Sequence, residues 1–390
     1  MVNSLTGTTS IKDIHQKAKF LSELEKIKVG GLESLQLVIY QKNFSSQADL
    51  LEKINFASSL VVNGQLSLTP EREQICELRV SEIEFINSNA EDYPLQKKSI
   101  PLEVVRDYPH LRAKTNYFLV IFRLRNSISK AIHEFFNQEG FYYISTPIIT
   151  SNDAEGAGEL FNLTTSKKDL FFSKPAKLTV SGQLQAEALV QGLESEMVFT
   201  DLKGIIRLAE KMIKYVTNYV LNNNSAELKY LENYDEKNEK KIIGKLKKLA
   251  DESFKKIDYG ERMDLQSEHE KFLCQHFNNS PVFITNYPTN LKAFYMKNNP
   301  NGKTVSCFDL LLPEVGELVG GSMREDNYRI LRDKAQKIGL DINNLNWYFD
   351  LRKYGYAPSG GFGLGLERLI MFISGTENIR DTIAFPRCSS

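Results

Sequence analysis

The sequence predicts an α+β protein of two or three domains. Its 390 residues suffice for that number at about 100–200 residues per domain. Short β-rich segments fill residues 30–90, and the later strands do not alternate regularly with helices as a doubly wound α/β sheet requires. Hydrophobic residues make up 42% and charged residues 25%, values typical of a globular protein with a sizeable core.

Composition argues against several classes of protein. The 49 basic and 49 acidic residues balance, which disfavours a uniformly basic nucleic-acid-coating protein but permits a local basic face. Apolar runs are far shorter than the ~18 residues of a membrane helix, and the N-terminus lacks the apolar core of a secretory signal. Cys76, Cys274, Cys307 and Cys388 have no paired spacing, which favours reduced thiols. We therefore expect a cytoplasmic protein without membrane spans.

Three β-rich segments predict a small N-terminal barrel or sheet. They are Leu35–Tyr40, Ser59–Leu66 and the alternating run Cys76–Val80. The following stretch EDYPLQKKSIP contains two prolines and indicates a linker. We place the first domain at 1–90, the linker at 91–112 and the main domain at 113–390.

Helical spacing of apolar residues predicts the next elements. A stripe from Leu124 to Phe135 predicts a helix that Gly140 is placed to end. The aromatic, β-branched run Phe141–Ile149 predicts a strand, which Pro147 confines to an edge, a bend or a subunit boundary.

Residues 203–258 are predicted to form a helical insertion. It contains a helix from Leu208 to Tyr219 and a lysine-rich helix within Lys237–Lys256. The lysines are most simply a solvated face, and contact with nucleic acid is the alternative. Further strands are predicted at Val282–Thr285, Ala293–Met296, Thr304–Leu312 and Glu317–Val319.

The segment GGFGLGLERLIMF predicts a nucleotide-binding turn. Gly361, Gly363 and Gly365 alternate along an extended run, so one strand face is bare and a flat aromatic base fits against it. Arg368 falls in the first turns of the following helix, where its planar fork suits phosphate oxygens. Tight packing of the glycines is the alternative.

The segment FDLLLPEVGELVGGSMRE predicts a β-hairpin around Pro313–Gly316. Its pairing brings the carboxylates of Asp309 and Glu317 close together, and hard oxygen ligands of that kind favour Mg²⁺. Arg324 follows as a candidate for a substrate carbonyl or carboxylate. An ordinary surface hairpin with charged ends is the alternative.

Two polar segments are candidates for amino-acid binding. Glu155, on the flexible loop SNDAEGAGELF, can receive an ammonium group. Ser181, Gln183 and Glu187, in LTVSGQLQAE, can read an amino acid by hydrogen bonds, although helix capping is the alternative for Ser181. The five histidines lie outside all of these segments, so the predicted chemistry is positioning and electrostatics.

In this order, the segments resemble a class II aminoacyl-tRNA synthetase, most closely the bacterial-type asparaginyl-tRNA synthetases. The stretch from Gly140 to Pro147 looks like motif 1, and GFGLGLERLIMF looks like motif 3. EGAGELF, LTVSGQLQAE, DLQSEHE, GELVGGSMRE and NIRDTIAFPR are similar to asparaginyl segments specifically. Glu187 stands where aspartyl relatives carry a lysine, and a carboxylate there suits a side-chain amide.

The resemblance implies a fold, an activity and a set of roles. The fold is an antiparallel catalytic sheet flanked by helices, with an OB-like anticodon-binding domain, in a homodimer. The activity is ATP-dependent activation of L-asparagine, with transfer to tRNA(Asn). Glu155, Ser181 and Gln183 would hold the α-amino group, Glu187 and Arg324 the side-chain amide, Asp309 and Glu317 Mg²⁺, and Glu317, Gly363, Gly365 and Arg368 ATP, with Arg368 as the catalytic arginine.

The sequence departs from this family at several points. After Glu187 comes ALVQGLES and then Glu196, an interval too short for two strands of ~5–6 residues plus a loop, so motif 2 with its phosphate-binding arginine is predicted to be missing. Only three of the five OB strands are predicted, which would leave open edges. A third shortening follows Tyr259, and the family's Pro-His is here Pro358-Ser359.

We therefore predict an asparagine–tRNA ligase by lineage. A faulty gene model would leave clean excisions with intact flanks, whereas decay would add point changes such as Ser359. One alternative function is a catalytically impaired paralogue or asparagine-binding regulator. Another is an aspartate-amidating asparagine synthetase relative, against which the retained N-terminal strands argue.

Overall fold

The computed structural model describes residues 5–12, 15–21, 34–40, 44, 51, 53–68, 76–96, 100–151, 161–164, 175–191, 197–234, 241–260 and 267–387. The chain divides into two compact units, Met1–Arg123 together with Ile383–Ser390, and Leu124–Thr382. The predicted α+β class is confirmed, because helices accompany sheets of mainly antiparallel strands. Among the described helices, none is long and apolar enough to cross a membrane.

The first unit contains a closed five-stranded barrel. Its strands are β1 (Leu5–Lys12), β2 (His15–Leu21), β3 (Ser34–Val38), β4 (Ser59–Leu68) and β5 (Cys76–Asn87). The strand order is β1-β2-β3-β5-β4, and β1 pairs back onto β4. The core between these strands includes Leu37, Leu60, Val62, Leu78 and Val80.

The prediction of only three strands with open edges was therefore wrong. The strands that the prediction missed, β1 and β2, have the sequences LTGTTSIK and HQKAKFL. Neither shows the apolar alternation by which a half-buried strand is recognised in a sequence. Pairing of β1 with β4 and of β2 with β3 closes the barrel.

Two sheets lie in the second unit. The smaller consists of β6 (Ile149–Thr150), β7 (Asn162–Leu163) and β8 (Ala176–Leu178). The larger consists of β9 (Met197–Val198), β10 (Lys255–Asp258), β11 (Val282–Thr285), β12 (Cys307–Leu312), β13 (Gly316–Met323) and β14 (Ser359–Leu364). Its order is β10-β11-β12-β13-β14-β9, and only the β10–β11 pair is parallel.

The end of the larger sheet next to β14 is short. β9 pairs with β14 only at Ser359 and Gly360. From Gly361 to Leu364, β14 has a described partner on the β13 side alone. The strand–loop–strand segment that is predicted to be missing would come just before β9 in the chain.

Ten described helices accompany the sheets. They are α1 (Leu102–Arg106), α2 (Asn116–Gln138), α3 (Gln183–Val190), α4 (Leu202–Asn223), α5 (Ser225–Tyr234), α6 (Ile242–Asp251), α7 (Ser267–His276), α8 (Tyr328–Lys337), α9 (Asn346–Asp350) and α10 (Leu366–Ser374). The buried face of α4 packs on β13, β14 and α6, so this helix supports the strands that carry the candidate site.

Most helix predictions are confirmed. Helix α2 covers the predicted stripe, and Gly140 follows it with φ +85°, the left-handed conformation of a helix-ending glycine. The lysine-rich helix α6 buries Ile242, Leu246 and Leu249, as its spacing indicates. It is shorter than predicted, because within Lys237–Lys256 the structure assigns a helix only to Ile242–Asp251 and a strand to its end.

Two predicted strands are wrong. Within Phe141–Ile149, only Ile149 is in a strand. Pro147 has no N–H to donate to a neighbouring strand. No described strand pairs with residues 141–148. Ala293–Met296 is a turn with a single bridge from Met296 to Arg324. The consecutive aromatic residues 294 and 295 are both buried, whereas a half-buried strand alternates its faces.

Candidate active site

Two glycines on neighbouring strands of the larger sheet, Gly320 and Gly363, form a strip without side chains. Gly320 of β13 lies opposite Asp309 of β12 and opposite Gly363 of β14, and residues directly opposite in a sheet point to the same face. A Cβ atom added to Gly363 would meet no atom within 4 Å. Gly363 thus leaves the bare surface that the glycine spacing predicts, whereas Gly361 is buried and the binding of a base stays a prediction.

A β-bulge brings Glu317 onto this same face. Leu310 lies opposite Val319, but Leu311 lies opposite Glu317, so β13 has one extra residue at this point. Glu317 and Gly320 are three positions apart and would otherwise point to opposite faces. The bulge therefore places the Glu317 side chain beside Asp309.

The two carboxylates converge over Gly320. A Cβ atom at Gly320 would lie 2.9 Å from Oε1 of Glu317 and 3.5 Å from Oδ1 of Asp309. Burial raises the pKa of Glu317, and the nearby charge of Asp309 raises it further. Nζ of Lys292 lies 2.6 Å from Oδ2 of Asp309 and 3.9 Å from the centre of the Tyr287 ring. Sequence reasoning missed Lys292, which no motif marks.

These oxygens suit a divalent cation of the Mg²⁺ type. Among the described residues there is no cluster of three or more acidic, histidine or cysteine side chains arranged to hold a metal ion. Mg²⁺ at nucleotide sites is commonly held by one or two carboxylates, with waters and phosphates as its other ligands. Asp309 and Glu317 supply that number.

Arg368 stands at the edge of the same strip. It is the third residue of α10, it is exposed, and its Nη1 donates to the backbone carbonyl of Glu317. Arg368, Glu317, Gly320, Gly363 and Gly365 line a cavity of about 240 Å³. This is below the ~300 Å³ at which small-molecule pockets usually begin.

A second group of predicted residues lies around the start of α3. Oε1 of Gln183 accepts a hydrogen bond of 2.8 Å from Arg324, which also donates to Oγ of Ser322 at 2.8 Å. Ser181 precedes the N-cap residue Gly182, and its Oγ accepts from the backbone N–H of Gln183, the first residue of the helix, at 3.1 Å. Glu155 lies outside the described residues.

Glu187 is enclosed by donors. Its side chain is fully buried; Oε1 accepts from Arg352 and, at 2.7 Å, from the Tyr356 hydroxyl, while Oε2 accepts from the Tyr348 hydroxyl at 2.5 Å. Burial is the main cause that raises the pKa of both tyrosines, so their hydroxyls stay protonated and donate. Sequence reasoning missed these three partners, because nothing in NWYFDLRKYGY points to a residue so far away in the sequence.

Comparisons with known proteins concern the residues around Gly320 as well as those around the start of α3. A model of the family "tRNA synthetases class II (D, K and N)" matches residues 102–194 and 190–389. The asparagine–tRNA ligase of Mycoplasma mycoides is 42% identical over 427 residues, which cover 96% of this chain and 93% of that protein. The asparagine–tRNA ligase of Alkaliphilus oremlandii is 38% identical, covering 90% and 88% of the two chains.

This chain belongs to the class II tRNA synthetases. Among solved structures, this class II synthetase is similar to the asparaginyl-tRNA synthetase of Pyrococcus horikoshii complexed with asparaginyl-adenylate. The TM-score is 0.84 at 26% identity, over 98% of this chain and 94% of the other. The fold is also shared with the Entamoeba histolytica asparaginyl-tRNA synthetase, with a TM-score of 0.80 at 23% identity.

The comparisons also support the predicted loss of a segment from this class II synthetase. The family model matches in two pieces that meet at 190–194, where the sequence has no room for motif 2. The alignment with the Mycoplasma mycoides ligase runs over 427 residues, although the chain has only 390. The relative therefore has residues without a counterpart in this chain.

Proposed function

We propose that this class II synthetase is an asparagine–tRNA ligase, which uses ATP to activate asparagine and transfers it to tRNA(Asn). The observation that carries this function is the 42% identity to an asparagine–tRNA ligase over 96% of the chain. The geometry supports it, because paired carboxylates, two glycines without side chains and an arginine lie at one face of the larger sheet.

Activation would proceed by displacement at the α-phosphate. The carboxylate of asparagine attacks this phosphorus, the bond to pyrophosphate breaks, and asparaginyl-adenylate forms. A hydroxyl of the terminal tRNA ribose then attacks the adenylate carbonyl, and AMP leaves. Arg368 holds ATP phosphates, and Gly363 and Gly365 leave room for the base. Mg²⁺, held by Asp309 and Glu317, neutralises phosphate charge when bound.

Asparagine would be bound by the residues around the start of α3. Glu155, Ser181 and Gln183 hold the α-amino group in this proposal, and Glu187 with Arg324 reads the side-chain amide. Support for this assignment comes from the hydrogen bond between Gln183 and Arg324, which brings residues 141 positions apart together. A buried site of donors and acceptors discriminates strongly, because a wrong ligand leaves its groups unpaired.

The missing motif 2 sets the expected rate of the first step. Without its arginine, the α-phosphate lacks one preorganised donor, a loss that typically costs about 10²–10³ in rate. We expect asparagine-dependent ATP–pyrophosphate exchange that is slower than that of the Mycoplasma mycoides ligase by this factor. Inserting that relative's motif 2 after Gln191 should restore the rate.

The same assay separates the alternatives. An ordinary exchange rate in the unmodified chain would contradict the role assigned to the missing segment. Asparagine binding without any exchange would instead favour an asparagine-binding regulator, which the two-piece family match makes the second candidate. The closed N-terminal barrel argues against the aspartate-amidating relative, because such enzymes lack that domain.

We also propose a homodimer and a cytoplasmic location. The segment that resembles motif 1 exposes Tyr143 by 80% and Ile148 by 71%, which suits a surface covered by a second subunit. Cys76, Cys274 and Cys307 are free thiols, as expected in a reducing compartment.

A further inference from the structure

The carboxylate of Glu187 has three protein donors and no exposed surface. Because the Glu187 side chain is fully buried among these donors, the amide of a ligand reaches its oxygens only by displacing one of them. Two of these donors are held in place by the surrounding protein. The side chain of Arg352 is fully buried and also donates to the Glu325 carbonyl at 2.9 Å. Tyr348 is fully buried in the helix α9. A ligand reaches Glu187 most readily where Tyr356 now lies.

Tyr356 differs from the other two donors in its position. It is only partly buried and lies in an irregular segment, directly after Gly355, whose φ is +80°. Its hydroxyl lies 2.7 Å from Oε1 of Glu187 and 2.8 Å from Oγ of Ser359. A phenol has one proton and donates to one partner at a time. The phenol donates to Glu187, so Ser359 is the donor to Tyr356.

Ser359 links the two expected readers of the side-chain amide. It is fully buried, its hydroxyl contacts Tyr356, and its carbonyl accepts from the backbone N–H of Arg324 at 2.9 Å. This serine replaces the histidine expected from the family resemblance. The Tyr356–Ser359 pair is therefore a feature of this chain that the resemblance does not account for.

We propose that Tyr356 is a specificity-determining residue that exchanges one hydrogen bond for another when asparagine binds. In the empty site its O–H donates to Glu187. When the side-chain amide of asparagine donates to Glu187, the phenol turns its O–H to Ser359, so two hydrogen bonds exist before and after. Aspartate has no N–H with which to replace the phenol, and its carboxylate would face that of Glu187. The inference rests on the proposed function.

The test measures the binding of asparagine and aspartate to the full chain by isothermal titration calorimetry. Ser359→Ala removes one hydrogen bond of the phenol both before and after binding, so the asparagine affinity should change by less than about twofold. Tyr356→Phe removes the competing donor and makes the asparagine amide a net added hydrogen bond, so asparagine should bind about fivefold more tightly than to the wild type. The double variant should match Tyr356→Phe, because Ser359 acts only through the phenol.

Matched variants keep the test decisive. Tyr354→Phe, at a residue that is 80% exposed, should leave both affinities unchanged. Ser359→Cys keeps the volume but accepts hydrogen bonds poorly, and replaces Ser359→Ala if that variant does not fold. Asparagine binding that Tyr356→Phe leaves unchanged or weakens, or a clear loss of asparagine affinity in Ser359→Ala, would overturn the exchange alone. Absence of asparagine binding to the wild type would overturn the proposed function, and the exchange with it.

Discussion

At Gly320, the lack of a side chain gives two carboxylates room to share one position. An alanine Cβ there would lie 2.9 Å from Oε1 of Glu317, closer than real Cβ atoms come to an oxygen. We expect Gly320→Ala to push Glu317 aside and to weaken Mg²⁺-dependent ATP binding at least tenfold. Gly363→Ala is the matched control for folding, because its methyl group would meet no atom within 4 Å.

The two glycine variants separate a metal effect from a base effect. Equilibrium dialysis with ATP in the presence and absence of Mg²⁺ measures both. Gly320→Ala should reduce the Mg²⁺ dependence, whereas Gly363→Ala should weaken binding equally in both conditions if the base lies on the strip. Unchanged Mg²⁺ dependence in Gly320→Ala would remove the two carboxylates from the proposed metal site.

Arg368 is expected to act through both its charge and its planar shape. Arg368→Ala should raise the KM for ATP in the exchange assay by about 10–100-fold, the effect of losing one or two charge-assisted hydrogen bonds. Arg368→Lys should recover only part of this, since an ammonium lacks the fork. Arg332→Ala, a change on the exposed surface of α8, is the control. Full activity of Arg368→Lys would indicate a charge effect without bidentate binding.

Two buried cysteines should resist alkylation. Burial raises the pKa of Cys274 to about 12 and that of Cys307 to about 11, so at pH 8 less than about one thiol in a thousand is ionised. Iodoacetamide labelling followed by peptide mass spectrometry should modify both only after unfolding in urea. Cys76 is less buried and should react first. Rapid native labelling of Cys307 would show that β12 opens locally.

At the scale of elements, the hairpin was predictable and its bulge was not. Pro313 and Gly316 mark the turn, and the apolar run before them marks the strand. The bulge depends on how β12 and β13 pack against their neighbours, which local sequence does not encode. The sequence analysis correctly expected Asp309 and Glu317 to lie close together, but it relied on strand pairing alone. Without the bulge, their side chains would point to opposite faces of the sheet.

Helix α4 offers a test of how far the sheet depends on its support. The side chain of Asp201 accepts from the backbone N–H of Gly204 at 2.7 Å and caps the helix. Asp201→Ala should lower the free energy of unfolding by about 1 kcal/mol, while Asp201→Asn should cost much less. Urea denaturation followed by circular dichroism measures both. Equal losses in the two variants would show that the charge, rather than the cap, matters.

The whole molecule was predictable mainly where family segments survive. The order of those segments indicated the family, which the comparisons confirm, and the family match divides where a missing part is predicted. The barrel was underestimated, because β1 and β2 are held by pairing rather than by an apolar pattern. The donors around Glu187 were missed, because Arg352 and the two tyrosines approach it only in three dimensions.

The proposed dimer leads to a prediction about the motif 1 segment. Ile148→Asp introduces a charge into a surface that a second subunit would bury, so the variant should be monomeric. Analytical ultracentrifugation of the wild type and the variant measures this. Phe272→Asp, at a position that is 63% exposed on α7, should leave the dimer intact. A wild type that is monomeric at micromolar concentration would contradict the proposal directly.

The short partner of β14 has a consequence for how this protein behaves in a crowded solution. From Gly361 to Leu364 the strand is paired on one side only among the described strands. Unpaired backbone groups at a sheet edge are a template for strands of other molecules. If motif 2 is missing as proposed, β14 therefore presents these unpaired groups to other molecules. The chain would then depend on low concentration or on chaperones to avoid aggregation.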